Sequence, residues 1–255
     1  MRSALLALWI GACLSLTPGF LLALDAPPAL DVKPQSRDYV PWWLARHQQK
    51  LAQAAAKPPR IVLLGDSITH NYELSSPYPA YDFQRVWRKF YEPKEALNLG
   101  FNGDTTVNAL WRIEHGAIDG LKPEVLILHI GTNDTIQGQS VAQTVQGVDA
   151  LIAAIQHRTP RTRILVLSIL PSRVSAEKDA KDLLINTELA RKYRRARGVD
   201  FVDLSPLFRN GQNLKVELFM DQRADPEAPP LHPDAHAQEL MAQQVEAVIA
   251  RLPAQ

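Results

Sequence analysis

The chain is poor in sulfur chemistry. Cys13 is the one cysteine in 255 residues. A disulfide framework, a cysteine-type zinc site and a cysteine nucleophile in the body of the chain are therefore excluded. An excess of one charge is also missing: 28 basic residues face 27 acidic ones, a formal net charge of +1. Nucleic-acid binders usually carry a basic excess, so nucleic acid is not an expected partner. Glycine, at 12, and proline, at 19, are too few for a collagen-like or low-complexity chain. No internal repeat is visible. What is present is a hydrophobic content of 46%, which excludes disorder and suffices for one sizeable core.

Residues 1–24 stand apart. Met1-Arg2-Ser3 supplies one positive charge, and Ala4–Leu24 then runs without a charged residue until Asp25. A short basic start and an apolar run read as a secretory signal peptide. The run is also long enough to act as an uncleaved membrane anchor. Thr17-Pro18-Gly19 interrupts its helical continuity and favours cleavage. Ile10-Gly11-Ala12-Cys13 is similar to a bacterial lipobox, but lipidation there would leave the apolar Leu14–Leu24 at the new N-terminus. The expectation is an exported protein, periplasmic or secreted, with membrane attachment through the N-terminus as the alternative.

Residues 25–57 read as a Pro- and Ala-rich linker (Asp25–Pro34) and a lead-in helix (Tyr39–Ala56). Residues 58–252 read as one domain. Short apolar runs predict strands at Arg60–Leu64, Leu97–Leu99, Val125–Ile130, Arg163–Leu170 and Val199–Leu204. Helical spacing predicts helices at Tyr81–Phe90, Val107–His115, Val141–His157, Ala176–Arg197 and Ala235–Leu252. Strand and helix alternate, which means an α/β fold with a parallel sheet and helices on both faces.

In such sheets ligands sit beyond the carboxyl ends of the strands. The segments found there are Gly65-Asp66-Ser67-Ile68-Thr69-His70, Gly100-Phe101-Asn102-Gly103-Asp104-Thr105-Thr106 and Gly131-Thr132-Asn133-Asp134. Leu231-His232-Pro233 stands just before the last helix. A serine, backbone donors at glycines, an amide side chain and a histidine would converge on one edge. That is the equipment for acyl transfer through a covalent serine intermediate.

These blocks resemble the SGNH (GDSL) hydrolase superfamily, most like its platelet-activating factor acetylhydrolase catalytic-subunit type and bacterial secreted relatives. The matching text is IVLLGDSITH, ALNLGFNGDTTVNALWRI, KPEVLILHIGTND and LHPDAHAQELMA. The resemblance implies a three-layer α/β/α sandwich of flavodoxin-like form. It implies Ser67 as nucleophile and His232 as general base. It implies the Ser67 and Gly103 N–H groups and the Asn133 side chain as oxyanion donors. The family context of Leu-His-Pro fits His232 alone among seven histidines. His236 lies four residues on, and such a pair could hold a metal. No third ligand accompanies it, so neither metal nor organic cofactor is expected. His129, inside a strand, reads as a core residue, and His70 as a pocket or surface residue.

One position departs from the family. Where an aspartate usually stands three residues before the histidine, this chain has Pro229. Phe219-Met220-Asp221 is similar to the family context of that acid, and an eight-residue insertion would separate it from His232. Asp221 is therefore the first choice for the acid. Asp225 and Glu227 are alternatives, and a Ser–His dyad is the remaining one. The implied reaction is hydrolysis of short-chain, mainly acetyl, esters. The substrate would be an acetylated glycan or a short-chain lipid or aryl ester. Tyr72, Tyr78, Tyr81 and Trp87 are candidates for a sugar platform or lipid-facing wall, with core packing expected for at least half of them. The alternative is a catalytically weak or dead scaffold serving as a carbohydrate-binding or interaction protein.

Overall fold

The computed structural model describes residues 32–252. Residues 1–24, read above as a leader and including the lipobox-like text at Cys13, and most of the Pro-rich linker lie outside the described residues.

Five strands, β1 (Ile61–Gly65), β2 (Ala96–Gly100), β3 (Val125–His129), β4 (Arg163–Leu167) and β5 (Val199–Val202), form one parallel sheet in the order β2-β1-β3-β4-β5. The helices are α1 (Pro41–Ala56), α2 (Ser67–His70), α3 (Phe83–Phe90), α4 (Thr106–Glu114), α5 (Thr132–Ile136), α6 (Val141–Arg158), α7 (Ala176–Tyr193), α8 (Ser205–Phe208), α9 (Met220–Ala224) and α10 (Ala235–Ile249). A two-residue hairpin, β6 (Arg209–Asn210) with β7 (Asn213–Leu214), precedes α9.

The strands alternate side chains between two faces, and both faces are buried. Val62, Leu64, Leu97, Leu99, Leu126, Leu128, Ile164 and Val166 pack with Ile113 of α4, Leu151 and Ile155 of α6, and Ile185 and Leu189 of α7. Ile61, Leu63, Val125, Ile127, Leu165 and Leu167 pack with Val86 and Phe90 of α3 and with Met241 and Val245 of α10. Each fully buried aliphatic side chain contributes roughly 1.5–3 kcal/mol. The three-layer α/β/α expectation therefore holds.

Local chemistry sets the helix starts. Ser140 and Gln143 form a capping box at α6. Ser175 caps α7, whose first turn carries Glu177 and Asp179. Asp234, fully buried, caps α10 by accepting from Ala237 N at 2.8 Å. The lead-in helix begins at Pro41, two residues later than its pattern suggests, because proline suits the first turn. The expected strands at Arg163–Leu170 and Val199–Leu204 end early, at Leu167 and Val202. Ile169, Leu170 and Leu204 remain buried beyond the ladder, which is why they read as strand. The expected helix at Ala176–Arg197 stops at Tyr193.

Candidate active site

The nucleophile position is built by β1 and α2. Ser67 is the first residue of α2, and Asp66 caps that helix by accepting from Ile68 N at 3.0 Å. Gly65 ends β1 because α2 turns tightly there. A Cβ at Gly65 would lie 2.2 Å from Thr69 Oγ1 and 2.5 Å from the His129 carbonyl.

The base arrives from the other end of the sequence. Ser67 Oγ lies 3.0 Å from His232 Nε2, and His232 Nδ1 lies 3.0 Å from Asp221 Oδ1. The second Asp221 oxygen accepts two backbone donors, His232 N at 2.5 Å and Leu231 N at 2.9 Å. Burial pushes the Asp221 carboxyl up, but the hydrogen bonds from the His232 ring and the two N–H groups outweigh it. The carboxyl is held below its ordinary range. An ionised Asp221 places the imidazole proton on Nδ1, so Nε2 is the acceptor facing the Ser67 hydroxyl.

The eleven-residue separation of acid and base is closed by a short antiparallel stem. Met220 N donates to His232 O at 2.9 Å, and Asp234 N donates to Leu218 O at 2.8 Å. Phe219 and Pro233 form the bridge between them. The intervening residues loop out above this stem. Gln222 Nε2 donates to Pro226 O and Ala228 O, and Arg173 N, after β4, donates to Pro230 O. Asp225 and Glu227 belong to this loop: Asp225 Oδ1 accepts from Glu227 N at 3.0 Å, and neither acid reaches the ring. Asp221 therefore takes the place that Pro229 cannot fill.

The three expected donors share the same edge. Phe101–Asp104 is a turn closed by Asp104 N donating to Phe101 O at 3.1 Å. Gly103, its third residue, has φ +78°, while Asn102 keeps a negative φ. That combination defines a type II turn and requires glycine at its third position. Asn133, in the first turn of α5, donates from Nδ2 to the Asp104 carbonyl at 2.9 Å, which leaves its second amide hydrogen free of that bond. Among the described residues, neither Ser67 N nor Gly103 N donates to an acceptor.

A buried polar network underlies the turn. Asp104 is inaccessible to solvent and receives Trp43 Nε1 at 2.7 Å, Arg112 Nε at 2.8 Å and Arg37 Nη1 at 3.1 Å. Arg112 also donates to the Leu99 and Gly65 carbonyls and lies over the Phe101 ring at 4.0 Å. Asp134, likewise buried, accepts from Thr106 N and from Thr106 Oγ1 at 2.5 Å, tying the β3 loop to the start of α4. Burial raises the Asp134 carboxyl to about 6. Burial raises Asp66 to about 7, against the Ile68 N–H and the nearby His232, which lower it.

The other histidines separate clearly. His129 is buried at the end of β3, and burial lowers it to about 4. His70 Nδ1 accepts from Asn102 N at 3.3 Å, so this ring is neither plain surface nor plain pocket lining. Burial and the Arg46 charge lower it to about 4. His236 is exposed on α10. Tyr72 is core, packed on Tyr91 and Trp87, whereas Tyr78 is 70% exposed. Sequence reasoning missed Arg37, Trp43, Asp104 and Arg112. Their signal was the juxtaposition of buried charge with aromatics, which no local spacing reveals.

Comparisons with known proteins bear on the family and the fold. Residues 63–240 match the profile of the GDSL-like Lipase/Acylhydrolase family, more than half of the chain. The platelet-activating factor acetylhydrolase IB subunit alpha1 of Homo sapiens is 31% identical over 147 residues, 56% of this chain and 55% of that protein. The chain thus spans about half the length of the curated relatives it matches. Among solved structures, a GDSL-like lipase from Bacteroides thetaiotaomicron superposes with a TM-score of 0.63 at 18% identity, covering 81% of this chain and 98% of that one. A carbohydrate esterase family 3 protein from Talaromyces cellulolyticus superposes with a TM-score of 0.53 at 18% identity, covering 76% and 97%.

Proposed function

The chain belongs to the GDSL-like Lipase/Acylhydrolase family, and from that membership we propose that it is a serine esterase hydrolysing short-chain, chiefly acetyl, esters through an acyl-enzyme. The observation that carries the reading is the continuous relay from Ser67 Oγ through His232 to Asp221.

Ser67 Oγ attacks the acyl carbonyl while its proton passes to His232 Nε2. Asp221 keeps the ring oriented and stabilises the imidazolium. Negative charge collects on the carbonyl oxygen, where Ser67 N–H, Gly103 N–H and Asn133 Nδ2 receive it. The tetrahedral intermediate collapses, the alcohol leaves with the His232 proton, and the acyl group stays on Ser67. Water, deprotonated by His232, then attacks the acyl-enzyme and releases the carboxylic acid. The protein side chains and water balance every step.

The acetyl preference is supported by the name of the human relative, an acetylhydrolase. A glycan as acetyl carrier is supported by the carbohydrate esterase of like fold. Short-chain lipid and aryl esters are the competing carriers. The charged start and apolar run of residues 1–24 support an exported enzyme, periplasmic, secreted or membrane-attached. The alternative of a catalytically dead binding scaffold drew on Pro229; with Asp221 on the ring that support falls away.

The test is hydrolysis of 4-nitrophenyl esters from acetyl to lauroyl, with a panel of acetylated glycans, by wild type and Ser67→Ala. The expected result is a rate that falls with chain length and disappears in the variant. Equal rates for the two proteins would overturn the proposal.

A further inference from the structure

We propose that Arg37 is a positioning residue of the oxyanion hole. Its guanidinium would hold the Asn102–Gly103 peptide in the orientation that presents the Gly103 N–H to the reacting carbonyl. The inference rests on the hydrolase reading of the same site.

The argument begins with the turn. Type I and type II turns differ by a rotation of their central peptide through about half a circle. Glycine tolerates the third position of both, so Gly103 permits the type II form without enforcing it. In a type I turn the Gly103 N–H would point away from its present direction. Something outside the turn must select between the two forms.

Arg37 is placed to do so. Its Nη1 donates to the Asn102 carbonyl at 2.6 Å. In a trans peptide the C=O and the following N–H point in opposite directions, so holding the Asn102 oxygen fixes the Gly103 N–H. A cationic donor on the carbonyl also polarises the peptide and makes that N–H a stronger donor. The guanidinium lies against Gly103 itself: a Cβ there would be 2.9 Å from Nη2.

The arginine is itself held. Nη1 also reaches Asp104 Oδ1 at 3.1 Å, and that carboxylate is fixed by Trp43 and Arg112. Its backbone segment is pinned to the start of α4 by Gln35 N on the Val107 carbonyl at 3.1 Å and Asn108 Nδ2 on the Gln35 carbonyl at 3.0 Å. These bonds do not involve the Arg37 side chain, so they survive its replacement. On the other flank, Asn102 N donates to His70 Nδ1 at 3.3 Å.

Arg37→Met and Arg37→Lys test this with two readouts. In kinetics on 4-nitrophenyl acetate, Arg37→Met is expected to lower kcat about 10- to 100-fold with KM little changed. That is less than the roughly 10²–10³ for losing a donor outright. The shape of the pH profile stays that of wild type, because the Ser67–His232–Asp221 relay is untouched. Arg37→Lys, which keeps the charge but not the fork, falls in between. In ¹H–¹⁵N spectra the Gly103 amide is expected to shift and to broaden by microsecond–millisecond exchange in Arg37→Met, with most other amides unmoved. A Gly103 amide unchanged in shift and width, or an unchanged kcat, overturns the proposal. Should Arg37→Met lose its spectral dispersion altogether, the Arg37→Lys pair of measurements decides by the same criteria. If wild type shows no Ser67-dependent hydrolysis, the esterase reading fails by itself, and the amide spectrum still reports whether Arg37 sets the peptide.

Discussion

Replacing Asp221 with asparagine turns the relay against itself. One carboxylate oxygen accepts from the ring, and the other accepts from two backbone N–H groups at 2.5 and 2.9 Å. An asparagine must put its NH₂ in one of those two places. Facing the backbone, it would leave two donors without an acceptor, at about 1–3 kcal/mol each. Facing the ring, it forces His232 Nδ1 to accept and moves the imidazole proton to Nε2. The second arrangement wins, and Nε2 then confronts Ser67 Oγ as a donor that cannot take its proton. The expected loss in kcat is about 10³–10⁴, on the order of 4–5 kcal/mol of barrier, with KM and folding little affected. The measurement is steady-state hydrolysis of 4-nitrophenyl acetate at equal concentrations of protein whose folding is checked by circular dichroism. Asp225→Asn and Glu227→Gln serve as controls and should stay near wild type. A kcat for Asp221→Asn within tenfold of wild type, or an equal loss in either control, would refute the argument.

Gly103→Ala should lower kcat by about 10²–10³ in the same assay, because φ +78° strains alanine and its Cβ meets the Arg37 guanidinium at 2.9 Å; a tenfold loss or less would mean the turn adapts. Asn133→Ala removes both an oxyanion donor and its bond to the Asp104 carbonyl, so kcat should again fall about 10²–10³, and a change confined to KM would argue against the role. Stability should tilt with pH in opposite senses in two variants followed by urea unfolding at pH 4.5 and 7. His129, lowered to about 4 from 6.5, binds fewer protons folded than unfolded, so it takes away about 3 kcal/mol of stability as pH falls through that window. His129→Gln should therefore lose less stability in acid than wild type does. Asp66, raised to about 7 from 3.8, binds more protons folded, so its contribution is lost as pH rises through that window. Asp66→Asn, which keeps the acceptor for Ile68 N, should gain on wild type as pH rises, and parallel profiles would show that the buried groups do not titrate this way.

The sheet was legible because its strands are buried on both faces and read as apolar runs. Their ends were not, since Ile130, Ile169, Leu170 and Leu204 stay buried under the loops of the site although none belongs to a strand. Helices as short as α2, α5, α8 and α9 complete at most about one turn, too little for a period to show. Ser67, Gly103, Asn133 and His232 could be found because each stands in a block that follows a strand or precedes a helix. Asp221 was visible only through the Phe-Met-Asp text before it, with Asp225 and Glu227 open as rivals until the stem was seen. Arg37 and Trp43 escaped notice because their partner Asp104 lies 67 and 61 residues away. A lone arginine between the linker and the lead-in helix carries no local pattern at all.

The stem formed by Leu218–Met220 and His232–Asp234 separates two jobs that a short loop would have to combine. Its backbone bonds, together with the Leu231 and His232 N–H groups on the Asp221 carboxylate, set the distance between acid and base, so the residues from Asp225 to Pro229 place no side chain on the relay. Widening the closed loop from three residues to eleven costs only about 1 kcal/mol of chain entropy. The segment from Asp225 to Pro229 is thus a replaceable module, bounded by Arg223, which is tied to the buried Asp234, and by Pro230, which accepts from Arg173 after β4. Its length and composition can drift, or be redesigned, while the proton relay beneath it keeps its register.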